Sequence, residues 1–309
     1  MKPLLIVIGG PTASGKTQIA LSLAKKLNTV ILSADSRQVY RGMNIGTAKI
    51  SPADQQGVKH YLLDCCNPNE LYNAGKFSHD ALEILKTLFR SYPAVILCGG
   101  TGLFIKGVVE GFAEVPNVPD TIRQQLNNEL TKNGLTNLAS ELSQVDHETF
   151  SKIDCQNPRR VLRALEVFRA TGKPLSFYQQ QQPVAPDFNV VYCVLSLEKD
   201  TLHARIKARV HEMLSNGLVK ETQDLLQKGY SPELQSMQTL GYKECILFIE
   251  KKIAQSELAD LIILRTKQYA KRQLTWFKKV TKAHWIPADN LELATGLILQ
   301  LIHNQLEDS

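Results

Sequence analysis

Residues 10–17 read Gly-Pro-Thr-Ala-Ser-Gly-Lys-Thr, the pattern G-x-x-x-x-G-K-[ST] of a Walker A loop. The loop follows the apolar run LLIVI at 4–8 and opens a helical pattern in which Ile19, Ala20, Leu23, Ala24 and Leu27 share one face. A strand, a glycine-rich turn and a covering helix in that order make an anion nest at a helix N-terminus. Gly10 and Gly15 free the backbone to curl, Lys16 supplies a point charge, and Thr17 offers a hydroxyl to magnesium. The expected diphosphate site is therefore Gly10, Pro11, Thr12, Ala13, Ser14, Gly15, Lys16 and Thr17, with Thr17 as metal ligand and Mg2+ as cofactor. The motif specifies a diphosphate and leaves open what is attached to it.

Further apolar runs at 30–32, 61–63 and 94–97 alternate with helical patterns through the first hundred residues. This is the signature of an α/β fold with a P-loop NTPase-like parallel sheet flanked by helices. Between about Val115 and Gln182 no strand-like run occurs, and helices are expected after Pro119, Thr136, Asp146 and Pro158. Strand character returns at 190–197, followed by helices near 200–228, 241–250 and 255–280, a short HWI element at 284–286, and a last helix from about Leu291. The expected organisation is a catalytic α/β core of residues 1–115 and 186–309 with an inserted all-helical domain at 116–185.

Composition excludes several classes. With 43% hydrophobic residues the 309-residue chain can bury a core, and it has no run of 18 apolar residues to span a membrane. The N-terminus enters a strand directly after Lys2 without a signal-peptide cleavage pattern, so a cytoplasmic location is expected. The six cysteines form no C-x-x-C pair and read as reduced structural thiols, and the histidines lack zinc-ligand spacing. The net charge is +6, yet the segment from Arg265 to Lys282 alone holds seven basic residues and no acid. A solvated helix without a polyanionic partner usually mixes both signs.

In a P-loop NTPase the loop is partnered by an acid at the end of another apolar strand, where it holds magnesium. Here the run at 94–98 ends in Cys98-Gly99-Gly100-Thr101 without a carboxylate. The nearest acid is Asp35, within Ser33-Ala34-Asp35-Ser36-Arg37-Gln38. Three roles fit it: a metal-holding acid, a general base beside a diphosphate leaving group, or an Asx turn that ends the strand.

The stretches GGPTASGKT (9–17), ADSRQVYRGMNIGTAK (34–49), GGTGLFIKGVVEG (99–111), NPRRVLRALEVFRATGKPLS (157–176), RIKARVHEMLSNGLVKE (205–221), LGYKE (240–244) and TKQYAKRQLTWF (266–277) together resemble the tRNA dimethylallyltransferases. Members of that family prenylate N6 of the adenine immediately 3′ of the anticodon. The resemblance implies that loop 10–17 holds dimethylallyl diphosphate with magnesium, and that Asp35 and Thr101 are catalytic. It implies that Asp35, Ser36, Arg37, Gln38, Thr101, Arg123 and the stretch Arg159, Arg160, Val161, Leu162 and Arg163 meet the tRNA anticodon stem-loop. Arg205 and Arg209 would reach the diphosphate, although Arg209 could instead pair with Glu212 at i+3 on a solvated face. With no cysteine beyond Cys245, the chain resembles the bacterial or organellar short form, expected to act as a monomer.

The charges agree with an RNA substrate. An adenine in a stacked loop must swing out to expose its amino group, so the enzyme needs a basic surface to hold the stem and loop. After Pro158, Arg159 and Arg163 stand at i, i+4, while Leu162, Leu165 and Phe168 form a docking stripe. Tyr269, Trp276 and Phe277 in the basic segment fit core packing better than base stacking. The residues alone also admit an adenylate isopentenyltransferase acting on free nucleotides, a P-loop small-molecule kinase, and a nucleotide-dependent RNA-binding switch. The arginines of the helical segment speak against the first, and the missing acid after Cys98 against the second.

Overall fold

The computed structural model describes residues 2–181 and 186–307. Gln182 and the expected domain end at 185 lie outside the described residues. In chain order the elements are β1 (Leu4–Gly9), α1 (Lys16–Lys26), β2 (Ile31–Ser33), β3 (His60–Tyr61), α2 (Ala74–Leu88), β4 (Ala94–Gly99) and α3 (Gly102–Val109). There follow α4 (Asp120–Val145), α5 (His147–Lys152), α6 (Pro158–Thr171) and α7 (Leu175–Gln179). The chain then forms β5 (Asn189–Ser196), α8 (Lys199–Ser215), α9 (Leu218–Gln227), α10 (Tyr242–Ile249), α11 (Gln255–Phe277), β6 (His284–Pro287) and α12 (Leu291–Glu307).

The chain divides into two compact units, one of Met1–Val109 with Pro186–Ser309 and one of Glu110–Ala185. The division falls at 109/110, ahead of the 115/116 boundary expected from the pattern.

In the first unit all strands run parallel, in the order β3-β2-β4-β1-β5-β6. β1 is apolar at every position because both its faces are covered. Leu5 and Val7 face a cluster that includes Phe77 of α2, Phe104 of α3 and Phe277 of α11. Leu4, Ile6 and Ile8 face Ile19 and Leu23 of α1 and Ile298 of α12. The helices that follow the neighbouring strands β1 and β4 thus lie on opposite faces of the sheet. Their divergence opens a crevice at the carboxyl ends of the two strands, where open α/β sheets bind ligands.

The second unit is helical among its described residues. Its α4 is broken at Gly134 (φ 77°, ψ 171°), a backbone conformation open to glycine. Arg169 of α6 grips both halves of α4, with Nη1 and Nη2 donating to Glu129 at 2.7 and 2.8 Å and Nε and Nη2 donating to Glu141 at 2.9 and 2.6 Å. The buried Asp146 accepts from the Thr149 N–H and hydroxyl and from the Ser176 N–H, tying α5 to α7. No helix among the described residues is long and apolar enough to cross a membrane.

Candidate active site

β1 ends at Gly9, and the chain turns through Gly10 (φ 146°) to Gly15 (φ 88°), which caps α1. The Ser14 N–H donates to the Pro11 carbonyl at 3.3 Å and closes the turn. Thr12, Ala13, Ser14, Gly15, Lys16 and Thr17 line a cavity of about 530 Å3, while Gly10 and Pro11 are buried behind it. Lys16 Nζ donates to the Pro11 carbonyl at 2.6 Å. Burial lowers the Lys16 pKa to about 8, with the Arg209 charge adding to the effect and the Cys98 thiol and Asp35 opposing it. Lys16 thus places a partly desolvated cation on the cavity wall, a charge that a nearby anion would stabilise.

Three glycines let the loop after β4 fit. A Cβ on Gly99 would stand 2.1 Å from the Ala34 carbonyl, one on Gly100 2.3 Å from Gln273 Nε2, and one on Gly102 2.0 Å from the Trp276 ring. The close approach brings Thr101 against the loop after β2. The Thr101 N–H donates to the Ala34 carbonyl at 3.2 Å, and Thr101 Oγ1 accepts from the Ser36 N–H at 3.0 Å. Asp35 does form an Asx turn, its Oδ1 accepting from the Arg37 N–H at 2.9 Å, and it also lines the cavity. The turn and the functional role are therefore compatible. Arg37 Nη1 donates to the Gln235 carbonyl at 2.9 Å, whereas Gln38 lines the cavity.

Arg205 and Arg209, one turn apart on α8, line the same cavity. Arg205 Nη1 stands 3.7 Å from where a Gly15 Cβ would lie. Arg209 Nη2 donates to the Thr47 carbonyl at 3.4 Å, and among the described residues it makes no ion pair with Glu212. Burial pulls the Arg209 pKa down, with Asp35 and then Glu212 opposing. The Thr47 loop is itself pinned by Glu221 of α9, which accepts the N–H groups of Asn44, Ile45 and Gly46 at 3.0 to 3.3 Å and the Tyr242 hydroxyl at 2.5 Å.

Two site residues escape the sequence pattern. Tyr269 and Gln273, one turn apart on α11, line the cavity rather than packing the core alone. Burial, and then the Asp35 charge, push the Tyr269 phenol up to about 12. Gln273 Oε1 accepts from the Thr12 N–H at 2.8 Å while its Nε2 donates to the Gly100 carbonyl at 2.9 Å. A buried amide on an otherwise aromatic stripe was the available signal, since such a group needs specific partners. Phe277 is fully buried, as core packing requires, whereas Trp276 is 37% exposed.

In the helical unit, Asn157 caps α6 by accepting the Arg159 N–H at 3.1 Å, and Arg159, Arg160 and Arg163 are exposed. Val161 and Leu162, the other two residues of the stretch 159–163, are 0% and 9% exposed and place their side chains in the unit's core. Helical phase turns them inward from the arginine face. Arg123 of α4 lies on the same surface as Arg163, since Glu166 is 3.8 Å from one and 3.4 Å from the other. Arg123 also pairs with Asp120 at 2.8 Å.

A family model described as IPP transferase matches residues 38–280. The chain belongs to the IPP transferase family. The tRNA dimethylallyltransferase of Cytophaga hutchinsonii is 42% identical to it, over 96% of this chain and 97% of that protein. That of a Synechocystis strain is 43% identical over 94% of this chain and 93% of its own. Among solved structures, a full-length tRNA isopentenylpyrophosphate transferase from Bacillus halodurans aligns with a TM-score of 0.73 at 34% identity, covering 99% of this chain and 98% of that one. A eukaryotic dimethylallyltransferase acting on tRNA aligns with a TM-score of 0.81 at 25% identity, over 94% of this chain and 75% of its own.

Proposed function

We propose that this family member transfers the dimethylallyl group of dimethylallyl diphosphate to N6 of the adenine immediately 3′ of the anticodon in tRNA. The observation that carries the proposal is the meeting, in one cavity, of two desolvated cations, Lys16 and Arg209, with the Asp35 carboxylate. N6 attacks C1 of the donor, the C1–O bond breaks with its electron pair leaving on pyrophosphate, and Asp35 takes the N6 proton. Lys16, Arg205, Arg209 and the loop N–H groups receive the charge that develops on the leaving oxygens. The displacement is single, without a covalent enzyme intermediate.

The residues fit a magnesium ion carried on the diphosphate. Thr17 is exposed on the cavity wall, and the described residues contain no group of three or more His, Cys, Asp or Glu to cage a metal. One hydroxyl plus phosphate oxygens and water suits this hard cation, which would supply further charge neutralisation on the leaving group.

The exposed arginines of α6, with Arg123, and the basic face of α11 and the residues after it are the surfaces we assign to tRNA, with the protein acting as a monomer in the cytoplasm. Incubation with labelled dimethylallyl diphosphate, Mg2+ and either unmodified tRNA or AMP tests the assignment. Label is expected on tRNA; label on AMP alone would identify an adenylate isopentenyltransferase, and label on neither would overturn prenyl transfer. Charge reversal at both Arg159 and Arg163 is expected to weaken tRNA binding about tenfold or more and to flatten its salt slope by about 2. An unchanged slope, measured by binding titrations over a salt series, would remove α6 from the interface.

The Lys16 pKa also fixes a pH dependence. Below about pH 8 the ammonium is charged before ligand arrives; above it, anion binding must first draw a proton from solvent. Affinity for isopentyl diphosphate, an unreactive alkyl diphosphate, is therefore expected to fall by up to about tenfold per pH unit above that value. Calorimetry in buffers of different ionisation enthalpy would register the proton uptake. Flat affinity with no uptake between about pH 7 and 9.5 would contradict it.

A further inference from the structure

We infer that Gln273 is a positioning residue for the transfer, its amide fixing the spacing between the loop that holds the leaving diphosphate and the loop that carries Thr101 beside Asp35. The inference rests on the function proposed above and adds to it a determinant that lies outside both loops. Gln273 accepts from Thr12 of the phosphate loop and donates to Gly100, and at 7% exposure its amide has little water to exchange these partners for. The amide's orientation is determined as well, because reversing it would set N–H against N–H and carbonyl against carbonyl. A Cβ at position 100 would lie 2.3 Å from Nε2, so the bridge requires glycine there.

The helix that carries the amide is anchored on either side of it. Ala270 and Phe277 are buried at 2% and 0% exposure, and the Phe277 ring lies where a Cβ on Gly9 would come within 2.8 Å. Trp276 abuts Gly102, and Tyr269 lines the cavity. One stripe of α11 thus touches the end of β1, the phosphate loop and the loop after β4. Gln273 is the member of the stripe that bonds two loops at once. The Thr12 N–H that it occupies is withdrawn from the diphosphate. Its loss should therefore alter geometry more than anion affinity.

In-line displacement needs attacking nitrogen, C1 and leaving oxygen aligned, and a misplacement of about 1 Å is enough to slow an enzyme about 100-fold. Gln273→Leu keeps the bulk of the side chain and removes both bonds. In the full-length protein it is expected to lower kcat for transfer to tRNA about 100-fold while KM for each substrate stays within about threefold. Gln273→Glu gives a second readout. Ionised, it can accept from Thr12 but opposes the Gly100 carbonyl; protonated, it reproduces both bonds. The ratio of its kcat to wild type should therefore rise about tenfold or more from about pH 8 to about pH 5.5.

A Leu variant with wild-type kcat, or one whose kcat, isopentyl diphosphate affinity and melting temperature fall together, would overturn the positioning role. So would a pH-independent ratio for the Glu variant. A wild-type protein that transfers no label would overturn the proposed function and this inference with it. That outcome is distinct from an active wild type beside equally active variants.

Discussion

Replacing Asp35 with asparagine is expected to lower turnover about 1,000-fold while leaving isopentyl diphosphate binding equal to wild type or tighter. The direction follows from the geometry. The carbonyl oxygen of the replacement amide can still accept from the Arg37 N–H, so the Asx turn that shapes the loop survives. The negative charge that Asp35 sets against the anion site disappears, which can only favour diphosphate. What is lost is an acceptor for the N6 proton, a contribution of about 100- to 10,000-fold where general bases have been removed. Single-turnover transfer and calorimetry on the same variant separate the two quantities. Comparable losses in both would make Asp35 a metal-holding or binding residue and return the site to the kinase-like arrangement.

Lys16→Met should do the opposite to binding. Methionine matches the length of the lysine stem and lacks its charge, so isopentyl diphosphate affinity and turnover are each expected to fall about 100-fold or more. The folded protein should be as stable as wild type or more so. A lysine whose pKa burial has lowered to about 8 is charged at neutral pH against a desolvation penalty, and the apolar replacement relieves it. Loss of function with a raised or unchanged melting temperature would separate a functional cation from a structural one. A variant that melts early and binds normally would mean that Lys16 serves the fold through its bond to Pro11.

How much of this was legible in the sequence depended on whether a residue's partner was local. The phosphate loop is specified by its own eight residues and the elements on either side, and Gly10 and Gly15 take the positive φ that a curled loop needs. The strands were readable because burial on both faces makes them continuously apolar, but β3 forms only at His60–Tyr61, where the 61–63 run meets the sheet edge. The stretch near 200–228 divides into α8 and α9 at Gly217 (φ 97°). Arg209 illustrates the limit. Its spacing to Glu212 is visible locally, whereas the Thr47 carbonyl it bonds lies 162 positions away in the chain.

Gln273 and Tyr269 were obscured for the same reason. Periodicity identifies a helix face, but not that this face meets Thr12, Gly100 and Thr101. Within the stretch 159–163 the 3.6-residue helical period sends the Val161 and Leu162 side chains into the core and leaves Arg159, Arg160 and Arg163 exposed, a split that contiguity in sequence does not reveal. Gly99 at the end of β4 and Gly100 and Gly102 beyond it are explained only by what crowds them, which is Ala34, Gln273 and Trp276.

In the proposed reaction the Walker A loop of this chain holds a leaving group and does not transfer phosphate. Dimethylallyl diphosphate carrying oxygen-18 in the bridge between C1 and phosphorus tests it directly, with unmodified tRNA as acceptor and mass spectrometry of both products. Displacement at C1 places all of the label in released pyrophosphate and none in the RNA. Label left on a dimethylallyl alcohol or phosphate, with phosphate moved to the acceptor, would show cleavage at phosphorus and contradict the account.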